Sequence, residues 1–451
     1  MILLSIFESA IINIAKKLGL TLVRKPYVND TYSNNESISL TAIIANKITT
    51  ITLSDSTISV KGGNKRAEYL DYFVKSNLGD KLTSACEVSL ATGDCLLKPF
   101  TTDGVNFGIN VIRNEHFYVC ECIGDYIKAC IIKCDEITKS NGSKLERFET
   151  QRISKVYDKN NNMIDVLFIY QQAFLNGKEV PIESIPEWSG IKPMMFIPNC
   201  SRPLFGRIKC PTVNRSDVNG VNGVPITYGV PSDVMRNAVE SYYRMNREFE
   251  SKESMIFADK SMFTKDKLSN KLVLPKIDAN NKNSTFMLLN SGDGSNVDNL
   301  VKAYSPDIRS NEMTDCINNN FKMVELLCGL SNGILTPPTT SYATATEMRA
   351  SLSSTYAYCC RFRKNIETGV NGLIYAIDIL LNYYNLVPFG DYTVDFDWST
   401  VYVENIDSQF ARLIEAEKIG AVDKSEIRAW LFDKSVEESK NDLLGINSDT
   451  V

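Results

Sequence analysis

The sequence is poor in histidine and in excess positive charge. His116 is the single histidine among 451 residues, and 49 Lys and Arg residues stand against 54 Asp and Glu residues, for a formal net charge of -5. Proteins that hold nucleic acid tightly normally carry an excess of cations, so strong general binding of nucleic acid is not expected. A mildly acidic chain still suits a role in which DNA slides past it, because like charge prevents sticking.

Several sequence patterns that would define a function class are also missing. There is no Walker A pattern, which argues against an ATP-driven motor, and no run of the ~18 apolar residues that a membrane span needs. The first twenty residues lack the basic n-region of a secretory signal, so the twelve cysteines are expected to be reduced. Phe7, Ile11, Ile14 and Leu18 share one face of a predicted amphipathic helix that docks on the protein, with membrane contact as the alternative.

Few residues suit catalysis. His116 precedes a predicted strand and has no Ser or Cys nucleophile motif near it, so we interpret it as an ordinary strand-edge histidine. Asp395 and Asp397 fall on one side of a predicted strand, Thr393–Val403. They are either a metal or acid pair or, as the alternation with apolar residues favours, the solvent-exposed side of that strand.

Four cysteines lie close enough in sequence to suggest a zinc site: Cys120, Cys122, Cys130 and Cys134. A two-residue turn at Gly124-Asp125 predicts a hairpin that pairs Cys120 with Ala129 and Glu121 with Lys128. Cys130 then lies on the opposite face of the hairpin, so we expect buried structural thiols rather than ligands.

The first two hundred residues are predicted to form an α+β domain. Helical periodicity predicts helices at Ser37–Thr50, Arg66–Phe73 and Lys81–Ala91. Alternation predicts strands at Thr52–Val60, Phe107–Ile112, Phe117–Ile123, Tyr126–Lys133, Gln151–Tyr157 and Met163–Gln171. The proline-rich stretch Pro186–Pro231 is interpreted as a long irregular connection.

In the second half, a polar loop separates two helices. A helix from Pro231 to about Ser251, a small β-rich module at Met255–Tyr304 and a helix at Asp307–Gly329 lead to this loop. A long helix, Thr344–Tyr384, follows from a capping box, and two short helices, Ser408–Lys418 and Lys424–Phe432, close the chain. A polar loop held between amphipathic helices is expected to be presented to a partner.

That loop and the following helix, SNGILTPPTTSYATATEMRA at Ser331–Ala350, resemble the tunnel loop and next helix of bacteriophage portal proteins. The likeness is to the siphophage-type group with a Thr-Ala-Thr-Glu signature. Lys65–Ile112, with its Lys98-Pro99 pair, is similar to the family's N-terminal region, and Asp391–Leu431 looks like its C-terminal strand and helices. The motifs follow one another in the order that the family has.

The resemblance implies an α+β, multi-subdomain portal fold that forms a ring, typically of twelve identical subunits. Its expected parts are a wing, a helical stem, a β-rich clip, a long kinked tunnel helix and a small helical crown. Carried onto this chain, they are the wing at 1–230, the first stem helix at 231–252, the clip at 253–304, the second stem helix at 305–330, the tunnel loop at 331–343, the long helix with a returning wing strand at 344–405, and the C-terminal helices at 406–451.

The resemblance also implies a function without catalysis, metal or cofactor: a channel at one capsid vertex through which double-stranded DNA is packaged and ejected. The implied partners are the terminase large subunit, the major capsid and scaffolding proteins and a head-tail adaptor, in a virion assembled in the bacterial host cytoplasm. The residues expected to face DNA are Ser331, Asn332, Thr336, Pro337, Pro338, Thr339, Thr340, Ser341 and Tyr342.

Two basic residues of the second stem helix, Arg309 and Lys322, are candidates to line the channel. The alternative is a role in salt bridges between subunits, with partners such as Glu248 or Glu312. Two other functions stay open at this point: a metal-dependent enzyme acting on nucleic acid through Asp395 and Asp397, and another structural protein of the virion.

Overall fold

The computed structural model describes residues 2–20, 39–54, 56–140, 142–158, 160–217, 221–251, 255–259, 264–265, 272–273, 286–289, 301–304, 309–337, 345–398, 406–432 and 436–441. Its helices are α1 (Ile2–Lys17), α2 (Leu40–Leu53), α3 (Lys65–Phe73), α4 (Gly79–Thr92), α5 (Ser232–Ser251), α6 (Ser310–Leu327), α7 (Ala345–Tyr383), α8 (Ile406–Lys418) and α9 (Lys424–Phe432).

The strands come in runs between groups of helices, and all their described pairs but β11–β14 are antiparallel, so the described chain is α+β. The strands are β1 (Thr57–Lys61), β2 (Asp94–Thr101), β3 (Phe107–Arg113), β4 (Phe117–Ile123), β5 (Tyr126–Thr138), β6 (Lys144–Tyr157), β7 (Met163–Leu175), β8 (Lys178–Val180), β9 (Met194–Pro198), β10 (Gly206–Lys209), β11 (Met255–Asp259), β12 (Thr264–Lys265), β13 (Leu272–Val273), β14 (Phe286–Leu289), β15 (Val301–Tyr304) and β16 (Thr393–Asp397). The chain divides into one unit of residues 1–29, 45–226 and 341–451 and a second of 30–44 and 227–340.

The core of the first unit is an antiparallel sheet in the order β4-β5-β6-β7-β8, with β9 also paired to β7. The buried side of α1, including Ile11 and Ile14, packs against Tyr118, Ile131 and Phe148 on one face of this sheet. The predicted docking helix is thus present in the structure. Among the described helices, none is long and apolar enough to cross a membrane.

The opposite face of the same sheet is covered by a second layer. One part of this layer is the small sheet β10-β2-β3, whose Leu96 and Ile112 pack against Cys130 and Ile132. The other part is α7, whose Ala376 packs against the strands β6, β7 and β9. The first unit is therefore built as helix, sheet, and then a mixed layer of strand and helix.

The hairpin of β4 and β5 keeps its predicted two-residue turn, because Ile123 pairs with Tyr126. The predicted pairing is wrong at Cys120 and Glu121 only, since Cys122 pairs with Ile127 and Val119 with Cys130. A bulge leaves Cys120 without a paired residue and sets Glu121 opposite Ala129 rather than Lys128, so Glu121 binds the Arg152 guanidinium at 3.0 Å instead. Cys120 and Cys130 still pack on opposite faces of the sheet, as expected.

Three predicted boundaries in the first unit are corrected by the structure. The strand predicted at Thr52–Val60 begins only at Thr57, since α2 continues to Leu53. The helices predicted at 66–73 and 81–91 form one continuous rod, because a π-helical segment, Val74–Leu78, joins α3 to α4. The stretch predicted as irregular, Pro186–Pro231, contains the strands β9 and β10.

Strand β10 and helix α7 cross where both carry glycine: Gly206 on the strand, and Gly369 and Gly372 on the helix. A Cβ on Gly206 would lie 1.8 Å from the carbonyl oxygen of Gly369, and a Cβ on Gly372 would lie 2.9 Å from the Gly206 Cα atom. Any side chain at this crossing would hold the two backbones apart. Gly369 and Gly372 therefore let this long helix pack closely on the strand.

Arg66 fixes the end of α7. Its buried guanidinium donates to the carbonyl oxygens of Asp378 at 3.1 Å, Val387 at 2.9 Å and Pro388 at 3.1 Å, and to the Asn382 side chain. It also lies 3.0 Å from the Asp378 carboxylate. These bonds hold the segment after α7, at Val387 and Pro388, against the C-terminal part of the helix.

The second unit contains α5 and α6 with short strands between them. Strand β11 pairs in parallel with β14 and antiparallel with β15, and β12 pairs with β13. A β-module between two helices is therefore present, as the sequence predicted. The predicted start of the second helix at Asp307 lies outside the described residues, and the helix is formed from Ser310.

Candidate functional site

The candidate site is the loop between α6 and α7 together with the helix pair that carries it. Helices α5 and α6 are antiparallel, since Arg309, just before α6, meets Glu248 near the end of α5. The guanidinium donates from Nε and Nη2 to the two oxygens of Glu248 at 3.2 and 3.1 Å. This bidentate pair closes the end of the helix pair that adjoins the β-module.

Between α5 and α6 lies an open groove with a volume of about 370 Å³. Its lining residues are Asn237, Ser241, Arg244, Met313, Cys316 and Asn320. One of them, Asn320, donates to the Cys316 sulfur at 3.8 Å, and Arg244 binds Glu240 at 3.1 Å. The groove therefore mixes uncharged polar groups with a cation that already has a carboxylate partner.

The loop begins with a reversal at the end of α6. Gly329 has φ +72°, a conformation that favours glycine, and the amide of Leu330 donates to the Glu325 carbonyl oxygen at 2.9 Å. Gly333, with φ +96°, allows a second change of direction. After it, Ile334 is buried, so the chain folds back on itself rather than leaving the helix at once.

Glu325 holds this returning segment. Its side chain is fully buried, and its Oε1 atom accepts the amide of Leu335 at 2.6 Å and the amide of Thr336 at 3.2 Å. Hydrogen bonds from two backbone amides to one carboxylate oxygen stabilise a buried negative charge. Helix α6 and the first half of the loop are thereby joined into one local structure.

The residues predicted to face DNA fall into three groups. Ser331 and Thr336 are each only 4% exposed, so they lie at the base of the loop rather than on its surface. Asn332 and Pro337 are exposed. The remaining residues lie outside the described part of the chain: Pro338, Thr339, Thr340, Ser341 and Tyr342.

The two basic candidates differ in their surroundings. Arg309 is paired with Glu248 of its own chain, which is one of the partners considered for it from sequence, although here the bond is within a subunit. The bond to Glu248 raises the pKa of Arg309, and the same bond lowers the pKa of Glu248. Lys322 is partly buried on α6 and makes no ion pair with the residues that the structure describes.

Of the two candidate catalytic carboxylates, Asp395 makes a structural contact. Asp395 lies 2.6 Å from the Lys61 ammonium across the pair β1 and β16, and both Asp395 and Asp397 are exposed as the alternation predicted. In the described residues that strand is β16, Thr393–Asp397, and the rest of the predicted range, from Ser399 to Val403, lies outside them. Burial lowers the pKa of His116, which sits in a short turn before β4.

The cysteines are free thiols throughout the described chain. Burial raises the pKa of Cys120 to about 12 and that of Cys134 to about 11, which makes a thiolate ligand unfavourable at neutral pH. Within the described residues, there is no group of three or more His, Cys, Asp or Glu side chains arranged to hold a metal ion.

Glu325 is the residue at this site that was missed from the sequence. A signal was present: an acid one residue after Val324, in the last turn of a helix, lies beside the apolar stripe and near the negative end of the helix dipole. A carboxylate in that position needs hydrogen-bond donors from outside the helix. Which donors supply them depends on the path of the loop, which the sequence does not specify.

Comparison with known proteins gives a family. The sequence profile described as "Phage portal protein, SPP1 Gp6-like" matches residues 217–444, just over half of the chain. A search of curated proteins gives no match. Among solved structures, a chain described as "Virion of native gene transfer agent (GTA) particle" is similar, at 11% identity over 95% of this chain and 99% of that one.

The TM-score for that solved structure is 0.42, which does not establish a shared fold. The profile match is the stronger finding, because it spans α5, the β-module, α6, the loop, α7 and the C-terminal helices in one continuous alignment. The chain belongs to the phage portal protein family, SPP1 Gp6-like.

Proposed function

We propose that the protein is a portal: a ring of identical subunits, twelve in number, at one vertex of a capsid, through which double-stranded DNA is packaged and later ejected. The observation that carries this proposal is the family match over residues 217–444, which covers the helix, β-module, helix, loop and helix in that order. Portal proteins are structural, so we assign no catalytic step.

Assembly into a ring accounts for an exposed apolar stripe on α6. Met323, Leu326 and Leu327 are 48%, 68% and 38% exposed, and their spacing of three and four residues sets them on one face of the helix. Apolar surface of this kind is favourable to bury, at about 25 cal/mol per Å². A neighbouring subunit is the partner that a ring supplies to every copy of this stripe.

The remaining parts of the chain are assigned by the same proposal. Residues 1–230 are the wing, 231–252 and 305–330 the stem helices, 253–304 the clip, 344–405 the long helix with a returning strand, and 406–451 a small crown. The clip docks the terminase large subunit and then the head-tail adaptor. The major capsid and scaffolding proteins surround the ring in the virion.

The loop forms the collar around DNA in this proposal. Its exposed residues Asn332 and Pro337, and residues 338–342 that follow them in the sequence, carry no charge, so they contact the DNA backbone without phosphate salt bridges. A net charge of -5 per subunit further opposes sticking. DNA can therefore pass through the channel in both directions without binding tightly to the loop.

Deletion of Pro338–Thr340 tests the collar. These three residues follow the buried base of the loop, so rings should still assemble while packaged DNA, measured as DNase-resistant DNA per particle, decreases. The conservative pair of substitutions Thr339→Ser and Thr340→Ser is the control and should package normally. Normal packaging by the deletion variant would remove the collar role.

A further inference from the structure

Glu325 lies at a position where a carboxylate is energetically unfavourable. It lies two residues before the end of α6, where the helix dipole disfavours negative charge, and its side chain is fully buried. Burial of an ionised group is costly unless hydrogen bonds compensate. The contacts of Glu325 should therefore have a definite structural role.

Among the described residues, both hydrogen bonds of this carboxylate are with the loop. The Oε1 atom receives the amides of Leu335 and Thr336, ten and eleven residues further along the chain. The Oε2 atom is also buried and has no hydrogen-bond partner among the described residues. The carboxylate is thus held by one oxygen, and the loop segment is held by the carboxylate.

The segment between Glu325 and these amides is compact. Leu330, Ser331, Ile334 and Thr336 are each no more than 6% exposed. We name residues 331–336 the loop foot. Immediately after it, Pro337 is exposed and is followed by a second proline, Pro338, in the sequence.

We propose that Glu325 is a positioning residue that fixes the loop foot to the end of α6, so that the loop foot keeps one position relative to the helix. The consequence for DNA rests on the proposed function: Glu325 sets where around the channel each collar segment begins. The loop foot acts as the base of the loop, and the collar segment begins directly after it, at Pro337.

Amide hydrogen exchange directly tests the attachment of the loop foot to Glu325, which we call the clamp. Without the carboxylate, the amides of Leu335 and Thr336 lose a charged acceptor, so in Glu325→Ala they should exchange about tenfold to a hundredfold faster, as expected for losing a charge-assisted hydrogen bond. Glu325→Gln keeps a neutral carbonyl acceptor and should show a smaller increase. Glu312→Gln, an exposed acid on the same helix, is the matched control and should leave both amides unchanged.

The exchange and packaging results together decide the proposal. Unchanged exchange of Leu335 and Thr336 in both Glu325 variants would overturn it; the Gln variant, which has nearly the same shape, keeps the test usable if the Ala variant does not fold. Faster exchange together with intact rings and reduced DNase-resistant DNA supports it, whereas faster exchange with normal packaging would remove the positioning role. Normal exchange in Glu325→Ala combined with failed packaging after deletion of Pro338–Thr340 would overturn the clamp and leave the proposed function standing.

Discussion

Replacing Gly206 by alanine should destabilise the first unit, because it forces β10 and α7 apart. The new Cβ would lie 1.8 Å from the carbonyl oxygen of Gly369 and 2.8 Å from the amide nitrogen of Leu373, whereas ordinary contact begins near 3.4 Å. Both partners are backbone atoms of a helix, so neither can turn away. One added methyl in a packed core costs about 1–3 kcal/mol, and we expect about 3 kcal/mol here.

Urea denaturation followed by tryptophan fluorescence measures this cost, with Gly79→Ala as the matched control. A Cβ on Gly79, the first residue of α4, meets nothing within 4 Å. Alanine should therefore stabilise that helix by about 0.5–1 kcal/mol through its higher helix propensity. Replacing glycine by alanine should thus lower the free energy of unfolding at Gly206 and raise it at Gly79. A Gly206→Ala variant as stable as the wild type would refute the close crossing of β10 and α7.

Two further substitutions test buried charges. Arg66→Ala should lower the free energy of unfolding by about 3–5 kcal/mol, because the carbonyl oxygens of Asp378, Val387 and Pro388 lose their donor. Arg66→Lys should not restore this stability, because lysine lacks the planar fork of the guanidinium. Glu149→Gln should cost a similar ~3–5 kcal/mol, because it leaves the buried Lys98 ammonium, 3.1 Å away, without its carboxylate. Both losses would appear as lower urea midpoints, and midpoints equal to that of the wild type would contradict the reasoning.

The Glu149 contact also predicts a pH dependence. Burial raises the pKa of Glu149, but the charge of Lys98 and the hydrogen bonds from Lys98, Gln151 and Gln171 outweigh it, so the net pKa lies below the usual 4.5. The stability from this group is then present above pH 4.5 and lost as the pH falls through the folded-state pKa. Glu149→Gln should lose less stability than the wild type over that acid range, and an equal loss would exclude Glu149 as the cause.

Local patterns in the sequence predicted much of the fold. Helix α9 has its predicted bounds, Lys424–Phe432, because its start is fixed locally: the Glu426 carboxylate accepts the amide of Asp423 at 3.0 Å. The paired strands β6 and β7 follow from alternation and a short polar turn. In both cases, the residues that determine the element are neighbours in sequence.

The features that were missed depend on distant partners. Strands β9 and β10 lie in a proline-rich stretch and form because β7 and β2 offer them edges to pair with. The buried role of Arg66 likewise arises from contacts far along the chain. At the candidate site, the sequence was enough to identify the loop. The hydrogen bonds from the loop to Glu325 could not be predicted, because they depend on how the loop folds back onto α6.

Electron microscopy of the purified protein tests the central claim most directly. The account predicts rings of uniform diameter with a central hole, and it predicts that Leu326→Glu, which places a charge in the exposed apolar stripe of α6, yields folded subunits without rings. A wild-type protein that remains a well-folded monomer at the concentrations of assembly would contradict the portal assignment.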